Sequence, residues 1–236
     1  ITQHVTFYSH TVVYVHEKRR KRNLQMGQNL RGEGRKYHTP LCYVEKLDDL
    51  FNECGVERVL DVGCGVGEHL LYLAERGFEV YGIDTSRRTI EIAKNSFRER
   101  GLKGEFKVRS MYDGLPYRDG FFDAIISIRT IHHGRISQIR RLIKEMERVL
   151  RHGGILFVTV RKRIPRRLMT RSRFLDSRTY IPLEGEEKGV VHYIFNKKLL
   201  KREFRNFRVH GIEIEADEHH PKYEGYYCLL AQLIKE

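Results

Sequence analysis

The sequence predicts an α/β fold: a doubly wound, mostly parallel sheet with an antiparallel last strand. Three observations carry this. Val59-Leu60-Asp61-Val62 makes a short buried strand that runs straight into the glycine turn Gly63-Cys64-Gly65-Val66-Gly67, after which Glu68 to Glu75 resumes at helical spacing. Strands and helices then alternate to residue 160, the rhythm of a parallel sheet with helices on both faces. Near the C-terminus the rhythm breaks, because two apolar segments, Phe207 to Ile214 and Tyr226 to Leu233, have only a loop between them.

Taken in order, residues 1–38 stand apart as an N-terminal extension. Thr6 to Val15 alternates loosely, as one strand would. The cluster Lys18-Arg19-Arg20-Lys21-Arg22 and three glycines, Gly27, Gly32 and Gly34, then suggest a basic linker. The remainder, 39–236, is expected to be one domain. Leu41, Val44, Leu47, Leu50 and Phe51 recur at three- and four-residue spacing, so a helix runs from Pro40 until Gly55 stops it. Next come a strand at 58–62, a helix at about 67–75 and a strand at 78–83. A helix over 87–100 buries Ile90, Ala93 and Phe97 and ends at Gly101. Short strands follow at 105–108 and 122–128. From Arg135 to Leu150, an apolar stripe of Ile136, Ile139, Leu142, Ile143, Met146, Val149 and Leu150 marks the clearest helix. Gly153-Gly154 should stop it before a fifth strand at 155–160. Asn196 caps a short helix through Phe204, and the last two strands pair antiparallel at the sheet edge.

Composition bounds the function. At 236 residues and 40% hydrophobic, the chain can bury one sizeable core. No apolar run approaches the roughly 20 residues of a membrane span. The apolar stretch Val5 to Val15 precedes its basic cluster, the reverse of a secretory signal, so the cytoplasm is expected. Cys42, Cys54, Cys64 and Cys228 form no CxxC pair, so neither a metal site nor a disulfide framework is expected. The formal charge of +13 favours a polyanionic partner.

The glycine turn is the candidate ligand site. Glycines between a strand and a helix bring a ligand against bare backbone at the helix N-terminus. A GxGxG turn alone says little. Here Asp61 puts a carboxylate just before the glycines, where a phosphate-binding loop would not want negative charge. Asp84 ends a second strand 17 residues after Gly67, the place where doubly wound sheets hold ribose hydroxyls.

Together DVGCGVG (61–67) and GIDTS (82–86) resemble the first two motifs of class I S-adenosylmethionine (SAM) methyltransferases. The resemblance implies a seven-stranded sheet with a reversed last strand, and SAM as cofactor. Gly63, Gly65 and Gly67 would lie beneath its methionine and ribose. Asp61 would hold the ammonium group, Asp84 the ribose hydroxyls, and Thr85 would border the adenine. Relatives often carry a Gly-Asp-small triplet where this chain has Ser110-Met111-Tyr112. Met111 would then pack on the adenine face, a backbone N–H near Tyr112 would meet its ring, and Asp113 would replace the lost carboxylate.

The methyl acceptor is expected beyond the fourth strand, at Arg129-Thr130-Ile131-His132-His133-Gly134. Arg129 can clamp a carboxylate and His133 can orient or deprotonate an acceptor, while His132 is equally well read as packing. Eight of the eighteen residues from Arg161 to Arg178 are Lys or Arg, and Asp176 is the only acid among them. Arg161, Arg163, Arg166, Arg167, Arg171 and Arg173 are therefore candidate RNA contacts within a basic insertion at about 161–190. The block from Phe122 to Gly154, with Val191-His192-Tyr193-Ile194-Phe195 and Tyr226-Tyr227-Cys228, resembles the tRNA wobble-uridine carboxymethyl methyltransferases. That branch esterifies 5-carboxymethyluridine in tRNA and works with a small zinc-binding activator subunit, which the resemblance implies as a partner. Two alternatives stand beside it: a small-molecule methyltransferase of the quinone or metalloid type, and a binding scaffold without activity.

Overall fold

A computed structural model of the chain describes residues 41–165, 168–216 and 225–234. The N-terminal extension therefore lies outside the described residues, as do Arg166 and Arg167. Helix α1 (Leu41–Glu53) leads into β1 (Arg58–Val62), α2 (Glu68–Ala74), β2 (Glu79–Asp84), α3 (Arg87–Glu99), β3 (Glu105–Val108), β4 (Phe122–Ser127), α4 (Ile136–Val149) and β5 (Leu150–Arg161). After them come β6 (Ser172–Phe174), β7 (Thr179–Pro182), β8 (His192–Tyr193), α5 (Lys197–Glu203), β9 (Phe207–Ala216) and β10 (Gly225–Leu233).

Seven strands form one sheet in the order β3-β2-β1-β4-β5-β10-β9. Pairs among β3, β2, β1, β4 and β5 are parallel, whereas β10 runs antiparallel to β5 and β9 antiparallel to β10. Side-chain alternation divides the interior into two layers. On one face Val59 and Val80 meet Val44 and Phe51 of α1, Leu70 and Leu73 of α2, and Ile90 and Phe97 of α3. On the other, Leu60 and Val62 meet the α4 stripe and Leu200 of α5. Burial on both faces makes β4 apolar nearly throughout, which is what a central parallel strand requires.

Local chemistry sets the ends. Ser86 Oγ accepts the Thr89 amide (3.2 Å) at the start of α3, and Asn196 Oδ1 accepts the Leu199 amide (2.8 Å) at the start of α5. At α4, the Gln138 side chain reaches back to accept the Arg135 amide (3.0 Å). Asp123 fastens the end of the sheet away from the glycine turn. One of its oxygens accepts the Glu57 and Arg58 amides (3.1 and 2.8 Å), and the other takes Arg151 Nε (2.7 Å).

Two expectations are corrected. Gly153-Gly154 does not stop α4: the helix ends at Val149, Leu150 turns extended (φ −82°, ψ 135°) and pairs with Phe122, and the glycines lie inside β5. Between Phe122 and Ala124 on β4 the partner strand advances from Leu150 to Ile155, so the glycines form an irregularity in the ladder. The basic insertion is not merely a charged loop either. It folds into a second antiparallel sheet, β6-β7-β8, with Thr179, Tyr180, His192 and Tyr193 buried. Among the described residues no helix is long and apolar enough to cross a membrane.

Candidate active site

The order reverses at β1, which pairs with β2 on one side and β4 on the other, and the carboxyl ends beside such a reversal are where open α/β sheets bind ligands. The turn 63–67 closes over the end of β2: the Gly63 and Cys64 amides both bond to Ile83 O (2.8 and 3.0 Å). Gly65 has φ +54°, and a Cβ built there would meet nothing within 4 Å, so the backbone lies bare on that side. Cys64 is buried, and burial, then Asp61 and Asp84, push its thiol far above the usual range, which argues against a nucleophile.

Asp84 is pinned to this turn. Its Oδ2 accepts the Gly65 amide (3.0 Å), and its Oδ1 accepts the Ser86 amide (2.9 Å) and, more weakly, the Thr89 hydroxyl (3.4 Å). A carboxylate has about four acceptor positions. One remains open and the long Thr89 bond is easily exchanged, so two ribose hydroxyls fit. Thr85 is exposed just beyond.

Asp61 shows what is missing from the protein's own bonding. It is 2% exposed, and its Oδ2 has no hydrogen-bond partner among the described residues. The nearest base is His69 Nδ1 on α2, 3.6 Å away, a residue the sequence reading passed over. Burial raises the Asp61 pKa and His69 opposes the rise. An orphaned, buried carboxylate oxygen beside bare glycine backbone matches a ligand that carries an ammonium group.

Met111 and Tyr112 border the same region, half-buried against the core. The Tyr112 hydroxyl donates to His133 O (2.8 Å), and a Cβ at Gly134 would lie 2.2 Å from that hydroxyl, so only glycine fits there. The amide expected to meet the adenine is not free at Tyr112 itself, since it donates to Ser110 Oγ (3.1 Å). Asp113 is exposed on the following turn.

At the end of β4 the loop 128–134 leans on the glycine turn. A Cβ at Gly63 would lie 2.1 Å from Thr130 Cγ2. Arg129 takes a left-handed backbone (φ +56°), its amide donates to Thr159 Oγ1 (2.7 Å), and its guanidinium lies 4.7 Å from the Tyr226 ring centroid. His133 is half-buried beside His132 (ring centroids 4.4 Å apart) and His192 (4.7 Å). His132 and His192 are 0% exposed. Burial, then the neighbouring imidazoles and guanidiniums, hold His132 well below the usual histidine range.

The candidate RNA contacts separate. Arg163, Arg171 and Arg173 are exposed, with Arg171 paired to Glu184. Arg161 is corrected: it ends β5 buried, over the same Tyr226 ring (5.2 Å) and 3.4 Å from Glu187, so it faces the interior instead of an RNA backbone. Glu187, from the insertion, and His192, from β8 just after it, complete this cluster, and sequence spacing gave no sign that they meet here.

Residues 59–154 match the family model described as a methyltransferase domain. The chain is 43% identical over 103 residues to the probable tRNA methyltransferase 9B of Mus musculus, a match covering 43% of this chain and 21% of that one. It is 30% identical over 123 residues to the ubiquinone biosynthesis O-methyltransferase of Dechloromonas aromatica, 52% of each chain. Among solved structures, a SAM-dependent methyltransferase from Methanosarcina mazei superimposes with a TM-score of 0.65 at 25% identity, covering 76% of this chain and 93% of that one. The chain spans about half or less of the length of the curated relatives it matches. The fold is that of the class I SAM-dependent methyltransferases, and the stretch 59–154 matches a methyltransferase domain. SAM is the cofactor of that domain class, and Asp61, Asp84 and the bare turn at Gly65 fit it.

Proposed function

We propose that this chain is a SAM-dependent methyltransferase whose acceptor is a carboxylate, that of 5-carboxymethyluridine at the wobble position of tRNA. The observation that carries the reading is the seating of Arg129 and His133 on a loop packed against the glycine turn, where Thr130 lies on Gly63. A guanidinium there matches a planar carboxylate. Bound SAM supplies a methyl group on a sulfonium, and its transfer to an ionised carboxylate requires no proton to move. Positioning by Arg129 and His133 is then the main work left to the protein. The charge of +13 and the exposed Arg163, Arg171 and Arg173 support a nucleic-acid substrate, whose anticodon bases can be splayed into a pocket. The likeness to a probable tRNA methyltransferase supports the same substrate class.

A small zinc-binding activator subunit is the proposed partner, docking on β3, the edge strand among the described residues, where Val108 is exposed. Co-expression should raise soluble yield and activity, and a chain fully active alone would remove the partner. The likeness to the ubiquinone O-methyltransferase favours a second reading, a small-molecule acceptor. Mass spectrometry of nucleosides decides between them: tRNA carrying 5-carboxymethyluridine is incubated with enzyme, SAM and activator. One added methyl, present as an alkali-labile ester on that uridine, is the expected result. Methyl incorporation into a small molecule with tRNA untouched overturns it.

A further inference from the structure

Beside Arg129 lies a cluster that the proposed reaction does not yet use. The turn between β7 and β8 sends Glu187 inward, and its carboxylate stands among three donors. Oε1 is 3.5 Å from His133 Nε2, while Oε2 is 3.6 Å from His192 Nε2 and 3.4 Å from Arg161 Nη2. Charge-assisted hydrogen bonds close to about 2.7–2.9 Å. Glu187 thus occupies the focus of the three donors without making a good bond to any of them.

The surroundings call for an anion. Arg129 and Arg161 both lie over the Tyr226 ring, and Glu187 is ion-paired with Arg161. Both ring nitrogens of His132 and of His192 lack a hydrogen-bond partner among the described residues, although both side chains are fully buried. Burial alone would raise the Glu187 pKa, but His133, Arg161 and His192 outweigh it and hold it down to about 2. The three imidazoles also resemble a metal site, with one nitrogen from each lying within 4.8 Å of the others. Tetrahedral zinc, with bonds of about 2.0–2.1 Å, needs those nitrogens about 3.3–3.5 Å apart. A dication there would also face two guanidiniums. The site already holds a carboxylate, that of Glu187 beside Arg161, and the imidazole spacing is wide for zinc, so the geometry favours the anion.

We infer that His133, His192 and Arg161 form a carboxylate-binding pocket, and that Glu187 fills it as an internal surrogate until the acceptor's own carboxylate displaces it. This rests on the carboxylate-acceptor reading above. The position suits it, since His133 belongs to the loop that lies on the cofactor turn. Displacement is local: Glu187 sits in a turn whose neighbours Glu184, Glu186 and Lys188 are exposed, flanked by Gly185 (φ +81°) and Gly189 (φ +83°). Because each of its contacts is 3.4–3.6 Å long, a carboxylate that closes to shorter hydrogen bonds with the same donors can compete with it.

The test is Glu187→Gln in the full chain, with unchanged SAM affinity as the check of folding and Glu187→Ala as a second variant. Acetate is the probe, followed through the imidazole resonances of His133 and His192 by NMR. Acetate should bind the Glu187 variants at least tenfold more tightly than the parent, and adding His192→Asn should abolish the response. With 5-carboxymethyluridine tRNA, Glu187→Gln should lower KM several-fold. Equal or weaker acetate binding in both variants overturns the pocket. So does a zinc ion bound one per chain and lost in His192→Asn, which would make the cluster a metal centre. The two readings fail separately. Tighter acetate binding without methylation of tRNA keeps the pocket and removes the substrate, whereas methylated tRNA with KM and acetate binding unmoved by Glu187→Gln removes the pocket alone.

Discussion

Asp61, the proposed ammonium contact, is held at a cost to the fold. Its burial raises the carboxyl pKa, with His69 opposing and Asp84 adding to the rise. A carboxyl whose folded pKa lies above its unfolded value of about 3.9 loses stability as pH rises from the unfolded value through the folded one, so the fold bears a cost at pH 7. Asp61→Asn should therefore raise the melting temperature of the ligand-free protein at pH 7, at about 2–4 °C for each kcal/mol recovered. The same change should weaken SAM binding at least tenfold. Thermal unfolding with and without SAM checks both, and a variant that melts below the parent without ligand would contradict the assignment. Asp84→Ala should lose two charge-assisted hydrogen bonds to ribose, about 1.5–3 kcal/mol each; calorimetry showing equal SAM affinity would remove it from the site. Their positions at two neighbouring strand ends were legible in the sequence because Asp61 directly precedes the glycines and Asp84 closes the next apolar run. His69, His192 and Glu187 were not, for their roles depend on where a helix face and an inserted sheet bring them. Arg161 was misread for the converse reason: a run of basic residues does not reveal which one ends a strand and turns inward.

Element by element, the sequence was most readable where one periodicity decides the outcome. The α4 stripe, the stop of α3 at Gly101, the Asn196 cap of α5 and the apolar run of β4 placed those boundaries within one or two residues. Glycine misled at 153–154, because helix termination and strand irregularity both favour it and only the pairing of Leu150 with Phe122 distinguishes them. The strands of the small sheet are two to four residues long, too short for alternation to register. Asp123 gives a test at this scale. Burial acts to raise its pKa, but the Arg58 amide, Arg151 and the Glu57 amide win and lower it. A lowered folded pKa gives stability that is present above about 3.9 and lost as pH falls through the folded value. Asp123→Asn should cost about 1.5–3 kcal/mol at pH 7, and its stability should decline less steeply than the parent's below pH 4. Urea unfolding across that range is the measurement; a variant as stable as the parent at pH 7 would show that the tie between β1, β4 and β5 contributes little.

For the molecule as a whole, charge and packing make separate predictions. Replacing Arg163, Arg171 and Arg173 together with Ala should weaken tRNA binding and reduce the slope of log K against log salt by about 2–3 units if all three meet phosphates. SAM affinity should stay unchanged, and an unaltered slope would place the RNA elsewhere. The contact between Thr130 and the turn at Gly63, where Thr130 Oγ1 donates to Gly63 O (3.4 Å), has a different consequence. The cofactor loop and the acceptor loop share that boundary with no space between them, so a shift in either is felt by the other. If the acceptor binds on the second loop as proposed, occupancy of the two sites should be linked, and linkage is symmetric: the factor by which acceptor tightens cofactor equals the factor by which cofactor tightens acceptor. After turnover the same boundary couples the two products. Release of the first should loosen the second, and the order in which they depart becomes a property of one threonine resting on one glycine.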